Sequence, residues 1–374
     1  MNDKKFLVKV FRLEGIPADI ETFDDVARLL CAGFSDLSVG DVDIRSLATS
    51  LHHWIRPAPR VATLQFSIVP EALRATDPKL TRTKWDLSRL CGCDDLTLDT
   101  EFLGLTPFND VEAEDHVFEY DLFPLIRWTV ADHLTSCIAI SGLASHPFGS
   151  WQPHGDDKSF MWIRDEALRQ VPGMRAIIYG YSSYLVDSGS IQIMGDIAKD
   201  LIENLSVGGW RQPSAKPLIF LAHSLGGLIL KDFFVRVADA RNALNRRMVD
   251  KIIGAVMFGV PNLGMDQTPL LSIVHGQPNE TLVQDLKPGS NYLLKLDKAF
   301  SGTAFLSQVM IFWAYETRLS PTVVVCVSAR KASLPLMTRT YHLAGKSRWQ
   351  WMGEKRNTFV DGSTILGNLS PRCQ

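Results

Sequence analysis

Ser224 is the residue best placed to do covalent chemistry. It stands in Leu218-Ile-Phe-Leu-Ala-His-Ser-Leu-Gly-Gly-Leu-Ile-Leu230, where an apolar run suited to a buried strand passes through Ala222-His-Ser-Leu-Gly226 straight into a helical stretch. So sharp a bend crowds the backbone and demands small residues beside the serine, a demand that Ala222 and Gly226 meet. The bend also aims the hydroxyl at the N-terminus of the following helix, where unpaired N–H groups and the positive dipole end favour a developing oxyanion. The pattern predicts a nucleophile elbow with Ser224 attacking a carbonyl carbon. The competing reading is a serine in an ordinary turn, and the strand before it with the Gly226-Gly227 helix start after it weighs against that.

Acyl transfer also needs donors for the negative oxygen of its intermediate. Ile140-Ser-Gly-Leu-Ala-Ser-His-Pro-Phe-Gly-Ser-Trp151 directly follows a strand-like apolar run. In α/β-hydrolases the loop at the corresponding place supplies one N–H and the residue after the nucleophile supplies the other. Leu143 and Leu225 are the expected donors, with Gly142 allowing close backbone approach. A plain glycine turn is the alternative for this loop.

A serine hydroxyl is a weak nucleophile without a base, and in this chain order the acid follows the serine and the histidine comes last. Glu316 ends the apolar run Val309 to Tyr315, and catalytic groups gather beyond the carboxyl ends of parallel strands. Asp266 and Asp361 are the other topologically reasonable acids, and each of the three could equally be a solvated loop carboxylate. His342, in Arg339-Thr-Tyr-His-Leu, is the sole histidine after Glu316 and the expected base. His223 reads as structural, and His146 and His275 read as loop residues.

These groups must be held by alternating strands and helices. Cys137–Ile140, Ala176–Tyr181, Leu218–Ala222, Ile252–Val260 and Val309–Tyr315 are near-continuous apolar runs, as in strands buried on both faces of a parallel sheet. Helices are expected over Phe160–Gln170, Ser190–Leu205, Leu225–Ala240 and Glu280–Phe300, giving a mainly parallel, doubly wound α/β sheet over residues 137–374. Residues 1–108 read as β-α-β-β-α-β, with strands at Phe6–Leu13, Val42–Leu47, Val61–Val69 and Phe102–Leu105, a helix capped by Thr22, and a short helix at Pro70–Arg74. That order predicts a small ferredoxin-like α+β domain. RNA-recognition modules share it, but the stacking aromatics they carry on their central strands are missing. Residues 109–136 read as a junction.

The bulk properties agree. At 374 residues, with 46% hydrophobic and 21% charged, the chain is long enough for two globular domains, and its composition excludes disordered, collagenous and coiled-coil classes. A balance of 39 basic against 41 acidic residues leaves no footprint for nucleic acid. The first residues are not expected to act as a signal peptide, and no apolar run is expected to span a bilayer. Six scattered cysteines, with Cys91 and Cys93 as a lone Cys-x-Cys, fit neither a disulfide framework nor a zinc site, so a reducing intracellular compartment is expected.

Taken in order, Ser141-Gly-Leu, Trp151, Tyr179-Gly-Tyr181, His223-Ser-Leu-Gly-Gly227, Phe258-Gly-Val-Pro-Asn-Leu-Gly264 and Tyr315-Glu-Thr317 resemble the fungal serine-esterase-like α/β-hydrolases. These are related to the "serine active site containing" proteins, to domain of unknown function 676 and, more distantly, to GPI inositol-deacylase. The resemblance spans about residues 137 to 320. It implies a Ser224 nucleophile, a Glu316 acid, no metal or organic cofactor, and lipid or other carboxylic esters as substrates. It also implies peripheral association with mitochondrial or endoplasmic-reticulum membranes. Relatives end in a His-Ser type motif that this chain lacks, which raises a second expectation: a catalytically impaired hydrolase fold serving in signalling or protein interaction.

Overall fold

The structure, a computed structural model, describes residues 9–51, 55–74, 83–111, 135–153, 159–186, 188–239, 243–316, 349–352 and 360–361. Thirteen strands among them form two sheets. The first contains β1 (Phe11–Ile16), β2 (Val42–Thr49), β3 (Arg60–Phe66), β4 (Lys84–Asp86) and β5 (Thr97–Asp99), in the order β2-β3-β1-β5-β4 with every pair antiparallel. Without the edge strand β4, the order β2-β3-β1-β5 is that of a ferredoxin-like sheet. β2 alternates between buried and more exposed positions, the period of a strand with one face on a core. The helix Phe23–Gly33 covers that core with Val26, Ala27 and Leu30, and its N-cap is Thr22, whose hydroxyl accepts a hydrogen bond from Asp25 N at 3.1 Å.

The fourth strand of this arrangement is Thr97–Asp99, and the strand expected near 102–105 has a different partner. Gly104–Pro107 forms β6, which runs antiparallel to β8 at the edge of the second sheet. Local sequence defined a strand there but carried no signal for the sheet it joins.

The second sheet is built from β6, β7 (Thr135–Ile140), β8 (Met174–Gly180), β9 (Leu218–His223), β10 (Ile252–Phe258), β11 (Met310–Glu316), β12 (Trp349–Met352) and β13 (Val360–Asp361). Its order is β13-β12-β11-β10-β9-β7-β8-β6, parallel from β8 to β11 and antiparallel at both margins. Alternate side chains of its central strands enter opposite layers. Ile138, Ile140, Phe220, Ala222 and Met257 face one core, and Cys137, Ala139, Leu221, Val256 and Phe258 face the other. Burial on both faces is why these strands are continuous apolar runs in the sequence. With its crossover, its antiparallel strand outside β8 and a strand-bend-helix at β9, this is the α/β-hydrolase fold.

The helices differ from expectation in detail. The one expected over 280–300 is two, Glu280–Gln284 and Asn291–Ser301, parted by Pro288 and Gly289; Gly289 has φ +69° and the Ser290 hydroxyl caps the second helix through Leu293 N. Proline-glycine is a turn signal legible in the sequence. Over 160–170 the chain forms a π-helical turn, Ile163–Ala167, followed by one α-helical turn.

Candidate active site

From β7 the chain passes to β8 on one side, then crosses back to β9 on the other, so β7 and β9 are neighbours whose exits diverge. Crevices for ligands open at such a switch point, beyond the carboxyl ends of the strands. Both of the loops singled out above begin there.

Ser224 follows β9 immediately and the helix Leu225–Val237 starts at the next residue. Its backbone sits at φ +53° and ψ −122°, a region that side-chain-bearing residues rarely adopt. Strain of this kind persists only where neighbours enforce it. Ser224 N donates to Phe258 O at 2.8 Å, tying the bend to β10, and Gly227 N donates to Ser224 O at 2.9 Å. The bend closes because no Cβ intervenes: a methyl on Gly226 would lie 2.4 Å from Ser141 O, and one on Gly227 would lie 2.2 Å from Val260 Cγ2. Leu225, the first helical residue, has an N–H with no intrahelical acceptor.

The loop after β7 lies against this bend. A methyl on Gly142 would stand 3.0 Å from Ser224 Cβ and 3.2 Å from His223 Nδ1, so the Gly142 backbone passes close against the bend at Ser224. The next residue, Ala144, is fixed at φ +53° with its N–H donating to Ser183 O at 2.9 Å. The Tyr181 hydroxyl donates to Ser141 O at 2.8 Å, and the Ser183 hydroxyl to Ser145 O at 2.9 Å. The loop is thereby zipped to the segment after β8. Ser141 is buried at 1% exposure, and its hydroxyl finds no partner among the described residues.

His146, in the same loop, is tied in place. Its Nε2 lies 2.7 Å from Thr100 O, and its Nδ1 lies 3.2 Å from Phe148 N and 3.1 Å from Gly149 N. A cavity of about 680 Å³ opens beside it, with Thr100, Glu101, Phe148 and Tyr184 among its lining.

The acids are unequally placed. Ala314 on β11 is in register with Phe258 on β10, which is in register with His223 on β9, and Gly259 N donates to Ala314 O at 2.8 Å. The backbone of Glu316 is two residues further along β11, at the carboxyl end and two strands from Ser224, about 9–10 Å at ordinary strand spacing. The backbone of Asp361 is on β13, four strands from β9 and about 19 Å away across the sheet. Asp266 is exposed, and its Oδ1 accepts from Thr268 N at 3.0 Å; bonds from the Thr268 hydroxyl and N–H hold its carboxyl below the usual range. His342 and the side chains of Glu316 and Asp361 lie outside the described residues. His275 is solvent-exposed at the end of a helix, 3.8 Å from Glu280.

Sequence reasoning missed a set of residues behind the site. Arg12 on β1, 5% exposed, donates from Nε to Asp99 Oδ2 at 2.8 Å and from Nη1 to Leu103 O at 2.8 Å and Thr106 Oγ1 at 3.0 Å. Asp99 Oδ1 in turn accepts from Glu101 N and Phe102 N at 2.9 and 2.8 Å. Arg12 between the core residues Phe11 and Leu13 was the available signal, since such a side chain is buried only when paired, and Glu14 on the same strand lies 3.3 Å from its Nη1. Among the described residues no group of His, Cys, Asp and Glu could hold a metal ion, and no helix is long and apolar enough to cross a membrane.

No described family matches the chain, and no curated protein matches it. Solved structures do. The Bacillus licheniformis lipase BlEst2 in mature form shares 11% identity at a TM-score of 0.37, over 56% of this chain and 70% of that one. Phospholipase PlaB from Legionella pneumophila, in complex with thio-NAD, shares 17% at 0.33, over 48% of this chain and 37% of that one. Alpha/beta hydrolase domain-containing protein 10 from mouse shares 15% at 0.23, over 44% and 61%. The strand order and the strand-bend-helix at Ser224 themselves carry the fold.

Proposed function

We propose that the protein is a serine hydrolase of carboxylic esters, with Ser224 as nucleophile and the Leu143 and Leu225 N–H groups as the oxyanion hole. The observation that carries this reading is the positive φ of Ser224 at the switch point, with Gly142 packed against its Cβ. Strained backbone of this kind clusters at reactive sites, and of the four non-glycine residues at positive φ among those described Ser224 alone bears a hydroxyl nucleophile. In the reaction Ser224 Oγ bonds to the ester carbonyl carbon and its proton passes to a histidine base. The carbonyl oxygen then carries the negative charge between the two amides. Collapse breaks the bond to the alcohol, which leaves with that proton, and water releases the acyl group in a second round. Glu316 is the proposed acid, supported by its place two strands from the elbow, and His342 is the proposed base.

Lipid esters are the proposed substrates, and peripheral contact with a lipid surface goes with them. Ile191 and Leu263, 79% and 88% exposed, stand on the segments after β8 and β10, at the same end of the sheet as Ser224. Exposed apolar side chains at that end of the sheet suit an acyl chain or a lipid surface better than a polar substrate. Kinship with the fungal serine-esterase-like group is proposed on the ordered motifs quoted above.

Fluorophosphonate labelling together with hydrolysis of a p-nitrophenyl acyl ester tests the reading. Labelling is expected in the wild type and absent in Ser224→Ala. A folded wild type that neither labels nor hydrolyses would leave the hydrolase fold with a signalling or protein-contact role instead. Glu316→Gln is expected to lower kcat by at least about 10²-fold, in keeping with loss of a group that orients the base, while Asp266→Asn and Asp361→Asn stay within about twofold of wild type. Loss of activity in either of those two, with Glu316→Gln active, would reassign the acid.

A further inference from the structure

We propose that His146 is a positioning residue: as a neutral imidazole it fastens the oxyanion loop to the chain leaving the N-terminal sheet, and so makes that sheet part of the catalytic device. This rests on the reading of Ser224 and the Leu143 amide as catalytic.

Three links carry the inference. First, the imidazole uses both nitrogens. Nδ1 faces two N–H groups, those of Phe148 and Gly149, so it must be the lone-pair nitrogen, and Nε2 then bears the hydrogen and donates to Thr100 O. Second, the Thr100 carbonyl is itself immobilised. Asp99 accepts from the two amides that follow Thr100, Arg12 of β1 holds Asp99 and also Leu103 O, and Thr100 N donates to Thr83 O at 2.9 Å. Third, the loop that His146 closes is the one whose Gly142 touches Ser224. His146 O also accepts from Ser150 N and the Ser150 hydroxyl, and Phe102 packs edge-on against the imidazole at 5.5 Å between ring centres. A continuous chain of contacts therefore runs from β1 to the elbow.

The protonation state matters to this fastening. A protonated imidazole has no acceptor, so it would turn a hydrogen against the Phe148 and Gly149 N–H groups. Burial holds the His146 pKa below its ordinary value; the Thr100 bond and the charges of Asp99 and Glu101 oppose that, and Lys9 adds to it. With the pKa depressed in the folded state, the fastening is intact above the ordinary imidazole range near pH 6.5 and is lost as pH falls through the lower folded value.

Three variants divide the two bonds. Asparagine can return an acceptor near the Nδ1 position, glutamine can return a donor near Nε2, and alanine returns neither. Hydrogen–deuterium exchange of peptides covering 141–149 is measured at pH 8, together with the maximal rate and half-saturation of fluorophosphonate labelling. The expectation is faster exchange in His146→Ala, with partial protection restored by His146→Asn or His146→Gln. The maximal labelling rate should fall about tenfold in His146→Ala with little change in half-saturation, less than the 10²–10³ that a whole oxyanion donor is worth. Unchanged exchange in His146→Ala overturns the proposal, as does faster exchange with an unaltered labelling rate. A wild type that never labels refutes the hydrolase reading and with it the catalytic part of this proposal, while the exchange data still decide whether His146 fastens the loop. Should the alanine variant not fold, the wild type suffices. Its Phe148 and Gly149 amide resonances must shift with the His146 imidazole as it titrates below pH 6.5; amides that ignore that titration refute the fastening.

Discussion

At Ser224 the backbone works against its own side chain. A non-glycine residue at φ +53° is strained by about 1–3 kcal/mol. Glycine at the same place pays no Cβ penalty, so Ser224→Gly is expected to be more stable than Ser224→Ala by about 1 kcal/mol, read from the midpoints of urea unfolding. The opposite order would mean that the bend is relaxed. Ser141 presents a different imbalance. Its buried hydroxyl has no partner among the described residues, and removing a group that is desolvated but unbonded is stabilising. Ser141→Ala should therefore unfold about 2 °C higher than the wild type by calorimetry, on the usual scale for about 1 kcal/mol in a chain of this size. The serine and its small flanking residues were legible in the sequence because the bend restricts residue types locally. The role of His146 was not, since its acceptor, Thr100 O, lies far away along the chain and nothing near residue 146 announces it.

Among elements, the helix Leu225–Val237 depends on what its first turn lacks. Alanine favours helices over glycine by about 1 kcal/mol, so an unconstrained Gly→Ala change in a helix is stabilising. At Gly226 and Gly227 the added methyl would meet Ser141 O at 2.4 Å and Val260 Cγ2 at 2.2 Å. Gly226→Ala is expected to destabilise by about 2 kcal/mol, because the obstructing atom is backbone and cannot turn aside. Gly227→Ala should cost less, since the Val260 side chain can move, and chemical denaturation of the pair will show whether that order holds. Burial explains why the parallel strands could be read in advance: β7 to β10 are buried on both faces and β11 is partly so, and that burial writes itself as unbroken apolar runs. Short strands leave no such record. Thr97–Asp99 has three residues, too few for a period, and Gly104–Pro107 offers the same local pattern whichever sheet it joins. The break after Gln284 was marked by Pro288-Gly289 and overridden by the helical spacing on either side.

For the molecule as a whole, the two sheets meet through buried charge as well as apolar packing. Arg12 and Asp99 have side chains only 6% and 4% exposed, and the arginine also bonds Thr106 on β6 of the other sheet. Removing Asp99 takes the buried carboxylate from the Arg12 Nε and leaves the guanidinium to the partly exposed Glu14, 3.3 Å from Nη1, and to Leu103 O and Thr106. Asp99→Ala is expected to destabilise by about 2–3 kcal/mol, below the roughly 3–5 of a fully stranded buried charge because Glu14 remains, measured by urea unfolding, and to slow fluorophosphonate labelling of whatever remains folded. If the variant labels at the wild-type rate, the N-terminal sheet does not govern the elbow.

The pairing of β6 with β8 has a consequence for biosynthesis. Gly104–Pro107 emerges from the ribosome well before Met174–Gly180, with all of residues 108–173 translated between them. Until then the nascent polypeptide carries an unclaimed edge, the kind of exposed pairing template on which partly made proteins aggregate. A chain released early, after residue 150, should therefore precipitate or occupy chaperones where the full-length product remains dispersed.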